Sequence, residues 1–207
     1  MRNRRRTWIT GGAGLIVCGV LGMLQTNLVG MPGSEIMRVV TDVVFAASML
    51  LFTFGLSREA SVVGRHPVGS AAMVVLALWP FAAFVLTRSL NSQVPSEDTA
   101  WMIYGYVSLL VPAAAGLVAA AQIARSGNVP APWRWAPMWV LAAYAVTWAV
   151  PEIVFVSVRP DSIQAFADLF LMLGALASLA GTLGLGILAI ILAVRERPGS
   201  VEVYRSA

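Results

Sequence analysis

The chain has 207 residues, a net charge of +4 and a mean hydropathy of +0.79, and 58% of its residues are hydrophobic. Only 12% are charged, against about 25% in a soluble globular domain. A soluble fold of this size cannot bury so much apolar surface, whereas a membrane protein exposes it to lipid. The composition therefore excludes a soluble fold and predicts an all-α, polytopic membrane protein.

The type of basic residue and the scarcity of cysteine and histidine exclude several classes of function. All 14 basic residues are arginines. The lack of lysine is typical of GC-rich bacterial coding, and it excludes a Schiff-base lysine. The arginines stand in short segments between apolar stretches, so we expect no nucleic-acid partner. With Cys18 and His66 as the only residues of their kinds, the chain has no Cys/His zinc set, and we expect no metal and no cofactor.

Six apolar segments follow one another along the chain, and each is predicted to be a transmembrane helix packed in one bundle. The helices are expected over 8–29, 35–57, 69–87, 100–123, 135–158 and 164–194. The sequence thus predicts a cytoplasmic tail over 1–7, one transmembrane domain over 8–194 and a second tail over 195–207. The last segment exceeds the roughly 20 residues of an upright span. It must therefore tilt, begin as an interfacial turn, or kink near Gly181, Gly184 or Gly186.

The first helix carries a face of small residues. Its apolar run is too long for a cleaved signal peptide and has no small-residue cleavage site. Gly14, Cys18 and Gly22 recur every four residues, a spacing that lets membrane helices approach closely. We expect this face to pack against a neighbouring helix, and it is also a candidate contact for a homo-oligomer or a partner membrane subunit.

The second helix begins with three charged residues on one stripe. Glu35, Arg38 and Asp42 stand at i, i+3 and i+7, so a helix places them on the same face. Charges that enter an apolar helix need a partner, a water-filled cavity or the membrane surface. Glu35 and Arg38 are expected at headgroup level. Asp42 is expected about one turn below the outer interface, with Arg38 as its local partner.

The arginines also predict the orientation. An even number of spans puts both termini on the same side of the membrane. With a cytoplasmic amino terminus, eleven arginines are inner and three are outer, and this bias predicts that both termini are cytoplasmic, in a bacterial cytoplasmic (inner) membrane. The inner arginines are Arg2, Arg4, Arg5, Arg6, Arg58, Arg65, Arg125, Arg134, Arg195, Arg197 and Arg205, and the outer ones are Arg38, Arg88 and Arg159. Trp133, Trp135 and Trp139 then fall at the inner interface, and Trp101 and Tyr104 at the outer one.

The fifth helix supplies a second polar feature at membrane depth. Tyr144, Trp148 and Glu152 form one ridge at i, i+4 and i+8. Pro151 deprives the Thr147 carbonyl of its helical donor, and freed carbonyls at this depth often line cavities.

Two interpretations of these polar groups stay open. One is an outward-facing polar pocket between helices two, five and six. The other is a buried ion pair that fixes helix packing. The candidate ligand-binding residues of the pocket are Arg38, Asp42, Tyr144, Trp148, Glu152 and Asp168.

Two functions follow from these interpretations. A pocket indicates a small-molecule binding or transport subunit, whereas dry packing favours a non-catalytic membrane assembly or partner subunit. An intramembrane enzyme is the least supported function, because no nucleophile–base pair or metal set stands out.

Overall fold

The computed structural model describes residues 2–27, 33–55, 61–63, 66–92, 98–127, 129–130, 132–157 and 160–195. Some side chains within these ranges lie outside the description, including those of Glu152 and Asp168. The loop arginines Arg58, Arg65 and Arg159 and the predicted tail beyond 195 also lie outside it. No strand occurs in the described part of the chain, so the prediction of an all-helical fold is confirmed there.

Within the described residues the chain forms six helical rods. They are α1 (Arg2–Asn27), α2 (Ser34–Phe54), α3 (Pro67–Ser92), α4 (Asp98–Ser126), α5 (Ala136–Ser157), and a last rod in which α6 (Pro160–Leu179) passes through a π-helical turn (Ala180–Gly184) into α7 (Leu185–Arg195). Five of these rods are long and apolar enough to cross a membrane. The exception is α5, which carries a shorter apolar stretch, Ala136–Pro151. A multi-pass helical membrane protein is therefore confirmed as the coarse architecture.

Helices α1, α3 and α6 begin earlier than the sequence predicts. Helix α1 begins at Arg2 rather than at Trp8, and Thr7 is fully buried. Arginine is a good helix former, so most of the predicted tail over 1–7 forms the first turns of the helix instead. Pro67 and Pro160 open α3 and α6, because proline at the first helical position has no intrahelical hydrogen bond to lose.

A π-helical turn interrupts the last helix at the glycines where a kink was one of the predicted alternatives. The π-helical turn spans Ala180–Gly184 and includes two of the three glycines named for it. The Leu185 amide donates to the Ala180 carbonyl, five residues back, which is the hydrogen bond of a π turn. A Cβ atom at Gly181 would lie 3.2 Å from the Tyr144 ring. The tyrosine of α5 thus fills the space that this glycine leaves.

The rods are arranged in chain order around a ring. Helix α1 packs on α2 on one side and on α7 on the other, α3 packs on α2 and α4, and α5 packs on α4, α6 and the π turn. A Cβ atom at Gly12 would lie 2.7 Å from the Gly186 carbonyl oxygen, and the same distance separates a Cβ atom at Gly186 from the Gly12 carbonyl oxygen. The backbones of α1 and α7 therefore touch directly.

The small-residue face of α1 lies partly against α2 of the same chain. A Cβ atom at Gly14 would overlap the Ser48 hydroxyl, and the Cys18 thiol donates to the Thr41 carbonyl across 3.8 Å. The predicted helix contact is confirmed at these two positions. At Gly22 it is wrong, since a Cβ atom there would have no other atom within 4 Å.

One end of the bundle holds the hydrophobic core, and we call it the packed end. It is built by the start of α1, the end of α2, the start of α3, the end of α4, and α7. Its buried hydrophobic residues are Trp8, Leu15, Phe52, Val62, Val63, Ala72, Met73, Ala119, Ile123, Val129, Ala189, Leu192 and Ala193. This end is where the sequence predicts the cytoplasm.

The segment after α2 folds back into the packed end. The Val62 amide donates to the Phe52 carbonyl at 3.0 Å, and the Ser61 hydroxyl donates to the Thr53 carbonyl at 2.6 Å. The Ser126 hydroxyl of α4 donates to the Val62 carbonyl at 3.1 Å. These bonds satisfy backbone groups that would otherwise be buried without partners, so the loop closes this end of the bundle.

The opposite end is much less closely packed, and we call it the open end. No described side chain is buried in residues 20–25, 33–45, 78–91, 99–114 and 166–176. The contrast between the two ends decides what surrounds the charged stripe of α2.

Candidate functional site

The charged stripe of α2 faces the interior of the bundle. Glu35, Arg38 and Asp42 share their helical face with Phe45, Met49 and Phe52, which continue the same spacing toward the packed end. Phe52 is only 8% exposed, and Phe45 and Met49 pack against the core. One stripe of α2 is therefore apolar where the bundle is packed and charged where it is open.

Asp42 lies near the middle of α2. It stands eight residues after Ser34 in a helix that ends at Phe54. At about 1.5 Å per residue this places it roughly 12 Å along the helix, two residues from the helix midpoint at Val44. The depth predicted for Asp42 below the outer interface stays a prediction.

Asp42 has no close polar partner among the residues that the structure describes. Its side chain is half-buried, and it makes neither a hydrogen bond nor an ion pair there. Arg38 is within electrostatic reach of it. The Arg38 guanidinium, however, lies over the Phe84 ring of α3, 5.5 Å from its centroid. A cation over an aromatic face is stabilised by the ring quadrupole, so the predicted local partner of Asp42 is engaged elsewhere.

Cys18 lies on the face of α1 that packs on α2. Its side chain is 6% exposed, and its thiol is within electrostatic reach of Asp42. Its thiol donates to the Thr41 carbonyl, which is a contact of the helix-packing kind that the sequence predicts for it.

Tyr144 of α5 contacts α6 and the π turn, and its side chain is 42% exposed. Its hydroxyl shares a hydrogen bond with the Ser178 side chain of α6, and its ring packs on Gly181. Trp148, one turn further along the predicted ridge, is 51% exposed. Ser178 had no sequence signal, because nothing in the pattern of α6 distinguishes it from other small residues.

The predicted set is thus divided between two parts of the ring. Helix α2 packs on α1 and α3, whereas α5 packs on α4, α6 and the π turn. The side chains of Glu152 and Asp168 lie outside the described part, so their place in a common pocket stays a prediction.

Aromatic and hydroxyl groups line the rim of the open end. The Tyr104 hydroxyl of α4 lies 2.9 Å from the Thr87 hydroxyl of α3, and the Tyr104 ring meets Trp101 edge to face at 5.9 Å. Among the described residues, no group of three or more His, Cys, Asp or Glu side chains is placed to hold a metal ion. The charged side chains described at the open end are the carboxylates of Glu35 and Asp42 and the guanidiniums of Arg38 and Arg88, and several hydroxyls accompany them.

Comparison of the chain with protein-family models, with curated proteins and with solved structures finds no match.

Proposed function

We propose that this chain is a multi-pass protein of the bacterial cytoplasmic membrane that binds a small polar molecule, or carries one as a transport subunit. The binding site is a water-filled vestibule at the open end of the bundle. Asp42 anchors the ligand, and Arg38 and Tyr144 lie on either side of the vestibule. Trp148, Glu152 and Asp168 extend it along α5 and α6.

The observation that supports this proposal is that Asp42 is partly exposed and has no close polar partner among the described residues. An ionised side chain at the centre of a membrane helix costs about 2.5–3.5 kcal/mol when lipid surrounds it. Asp42 is half-exposed and unpaired among the described residues, yet it lies on the inward-facing stripe of α2. Its exposed part therefore opens onto the bundle interior, where water or a bound ligand removes that cost.

A first test compares two adjacent positions of α2, whose side chains point about 100° apart around the helix. In a Cys18→Ala background, Asp42→Cys is expected to react with a charged, membrane-impermeant methanethiosulfonate reagent in lipid nanodiscs. Val43→Cys is the matched control, because Val43 is 50% exposed on the outward face of the same helix. Its thiol should lie in lipid, where it stays protonated and unreactive.

Equal labelling at the two positions would contradict the vestibule. Protection of both would indicate that Asp42 is dry, and the alternative function, a membrane assembly or partner subunit, would then be favoured. Nanodiscs expose both ends of the bundle, so this result does not depend on orientation.

A second test measures the stability of Asp42→Asn. If the carboxylate is hydrated, its replacement by an amide of similar shape should change the free energy of unfolding by less than about 1 kcal/mol. Breaking a buried ion pair would instead cost about 3–5 kcal/mol. Melting temperatures of wild type and variant in the same detergent distinguish the two. A drop as large as that of a broken buried pair would argue against the vestibule.

The proposed orientation has its own test. Asn91 and His66 are both exposed and lie at opposite ends of α3. Because the positive-inside rule puts the packed end in the cytoplasm, Asn91→Cys should react with an impermeant maleimide in intact cells, and His66→Cys only after permeabilisation. The reverse pattern would invert the topology.

A further inference from the structure

A shallow apolar groove lies on the outside of the bundle at the start of α5. Its volume is about 360 Å³, and its lining residues are Pro132, Trp135, Met138, Trp139 and Ala142. Trp139 is 75% exposed and Trp135 is 46% exposed. A groove with so open an aromatic wall faces the surroundings of the bundle, not its interior, and it is separate from the Asp42 site.

The chain enters this groove through a well-defined turn. The amides of Trp133 and Arg134 both donate to the Pro130 carbonyl, at 2.9 and 3.2 Å, and the Ala136 amide donates to the Trp133 carbonyl at 3.1 Å. The Trp139 amide donates to the Trp135 carbonyl at 3.1 Å. The two groove tryptophans therefore stand one helical turn apart on a hydrogen-bonded scaffold.

Positive charge stands at the mouth of the groove. The Arg134 guanidinium lies over the Trp135 ring, 5.9 Å from its centroid, and the side chain is exposed. Arg125 is exposed in the last turn of α4, at the same end of the bundle. The acidic side chains that the structure describes, those of Glu35 and Asp42, belong to the opposite end, so they cannot neutralise this charge.

We infer that this groove binds an anionic phospholipid, with an acyl chain along Trp135, Met138 and Trp139 and the phosphate at Arg134. A guanidinium stacked on an aromatic ring keeps its N–H groups free for a phosphate. Exposed tryptophans at the end of a membrane helix belong to the headgroup region. There the apolar groove can contact an acyl chain while Arg134 contacts the phosphate of the same lipid. A second copy of this chain would instead need an acidic surface opposite Arg134, and the described part of the chain offers none at this end.

The test is lipid retention by the full-length chain, measured by native mass spectrometry. The detergent-purified protein is equilibrated with equal amounts of phosphatidylglycerol and phosphatidylcholine of the same acyl chains. Wild type should retain phosphatidylglycerol in preference, and Arg134→Gln should lower that preference about fivefold, the value of one interfacial basic residue. Trp139→Ala should lower retention of both lipids, since it removes one wall of the groove.

The matched controls lie at the open end. Tyr106→Ala removes an exposed aromatic side chain of α4, and Arg88→Gln removes an exposed arginine of α3; both should retain lipid as wild type does. Equal retention of the two lipids by wild type, or an unchanged preference in Arg134→Gln, would overturn the inference. Complete displacement of the lipid by millimolar inorganic phosphate would also overturn it, because the site would then be a phosphate site. Dissociation of an oligomer by Trp139→Ala would overturn it as well, because the groove would then be an interface between copies.

Discussion

Gly12→Leu is expected to abolish the folded bundle. Gly12 and Gly186 are the point at which the backbones of α1 and α7 touch, and a Cβ atom on either would lie 2.7 Å from the other's carbonyl oxygen. Overpacking of a core typically costs about 1–3 kcal/mol when side chains can adjust. Here the obstacle is backbone, which cannot rotate away, and leucine adds three carbons beyond Cβ. We expect a cost at or above the top of that range.

The measurement is the yield of monodisperse protein in detergent, together with its melting temperature. Gly22→Leu is the matched control, since it makes the same change on the same helix where a Cβ atom would have no other atom within 4 Å. Gly22→Leu should behave as wild type. If the two variants behaved alike, α1 and α7 would not be in contact where the structure places them.

Val63→Asp is expected to have an effect of similar size, at the loop that closes the packed end. Val63 has no exposed surface, and its Cγ1 atom occupies the space that a side chain at Gly69 would need. The effective penalty for burying an ionised carboxylate is several kcal/mol. Because the side chain at this position has no exposed surface, the new carboxylate would be shielded from water, so we expect loss of folded protein.

Val68→Asp is the control for this prediction. Val68 is 59% exposed in the first turn of α3, five residues from Val63. An acidic residue near a helix amino terminus interacts favourably with the helix dipole, so this variant should fold normally. A folded Val63→Asp protein with an unchanged melting temperature would show that the loop does not close the packed end.

These two predictions concern the end of the bundle opposite Asp42, and the asymmetry matters for function. A vestibule that opens on one side only requires that the other end of the bundle be closely packed. Substitutions at the floor should abolish folding, whereas Asp42→Asn at the open end should leave stability nearly unchanged. That difference separates a binding site from a structural ion pair.

The sequence by itself determined the class of fold and the number of helical segments. Apolar runs of membrane length are a one-dimensional property, because each helix satisfies its own backbone in lipid. The same local reasoning named Gly181 and Gly184 among the places where a segment longer than a span can kink, and the π-helical turn includes both. It also placed Glu35, Arg38 and Asp42 on one stripe, because helical periodicity alone sets that relation.

Only the tertiary structure decided which groups meet. Side-chain spacing made Arg38 the partner of Asp42, yet the Arg38 guanidinium lies over Phe84 of a neighbouring helix. By spacing alone, Gly14, Cys18 and Gly22 are equivalent helix-packing positions. In the structure, α2 covers the first two and leaves the third open. The concentration of the core at one end, and with it the exposure of Asp42, depends on how six rods lean against one another. Contacts between helices are set by the fit of many side chains at once, and no single helix carries that information in its own sequence.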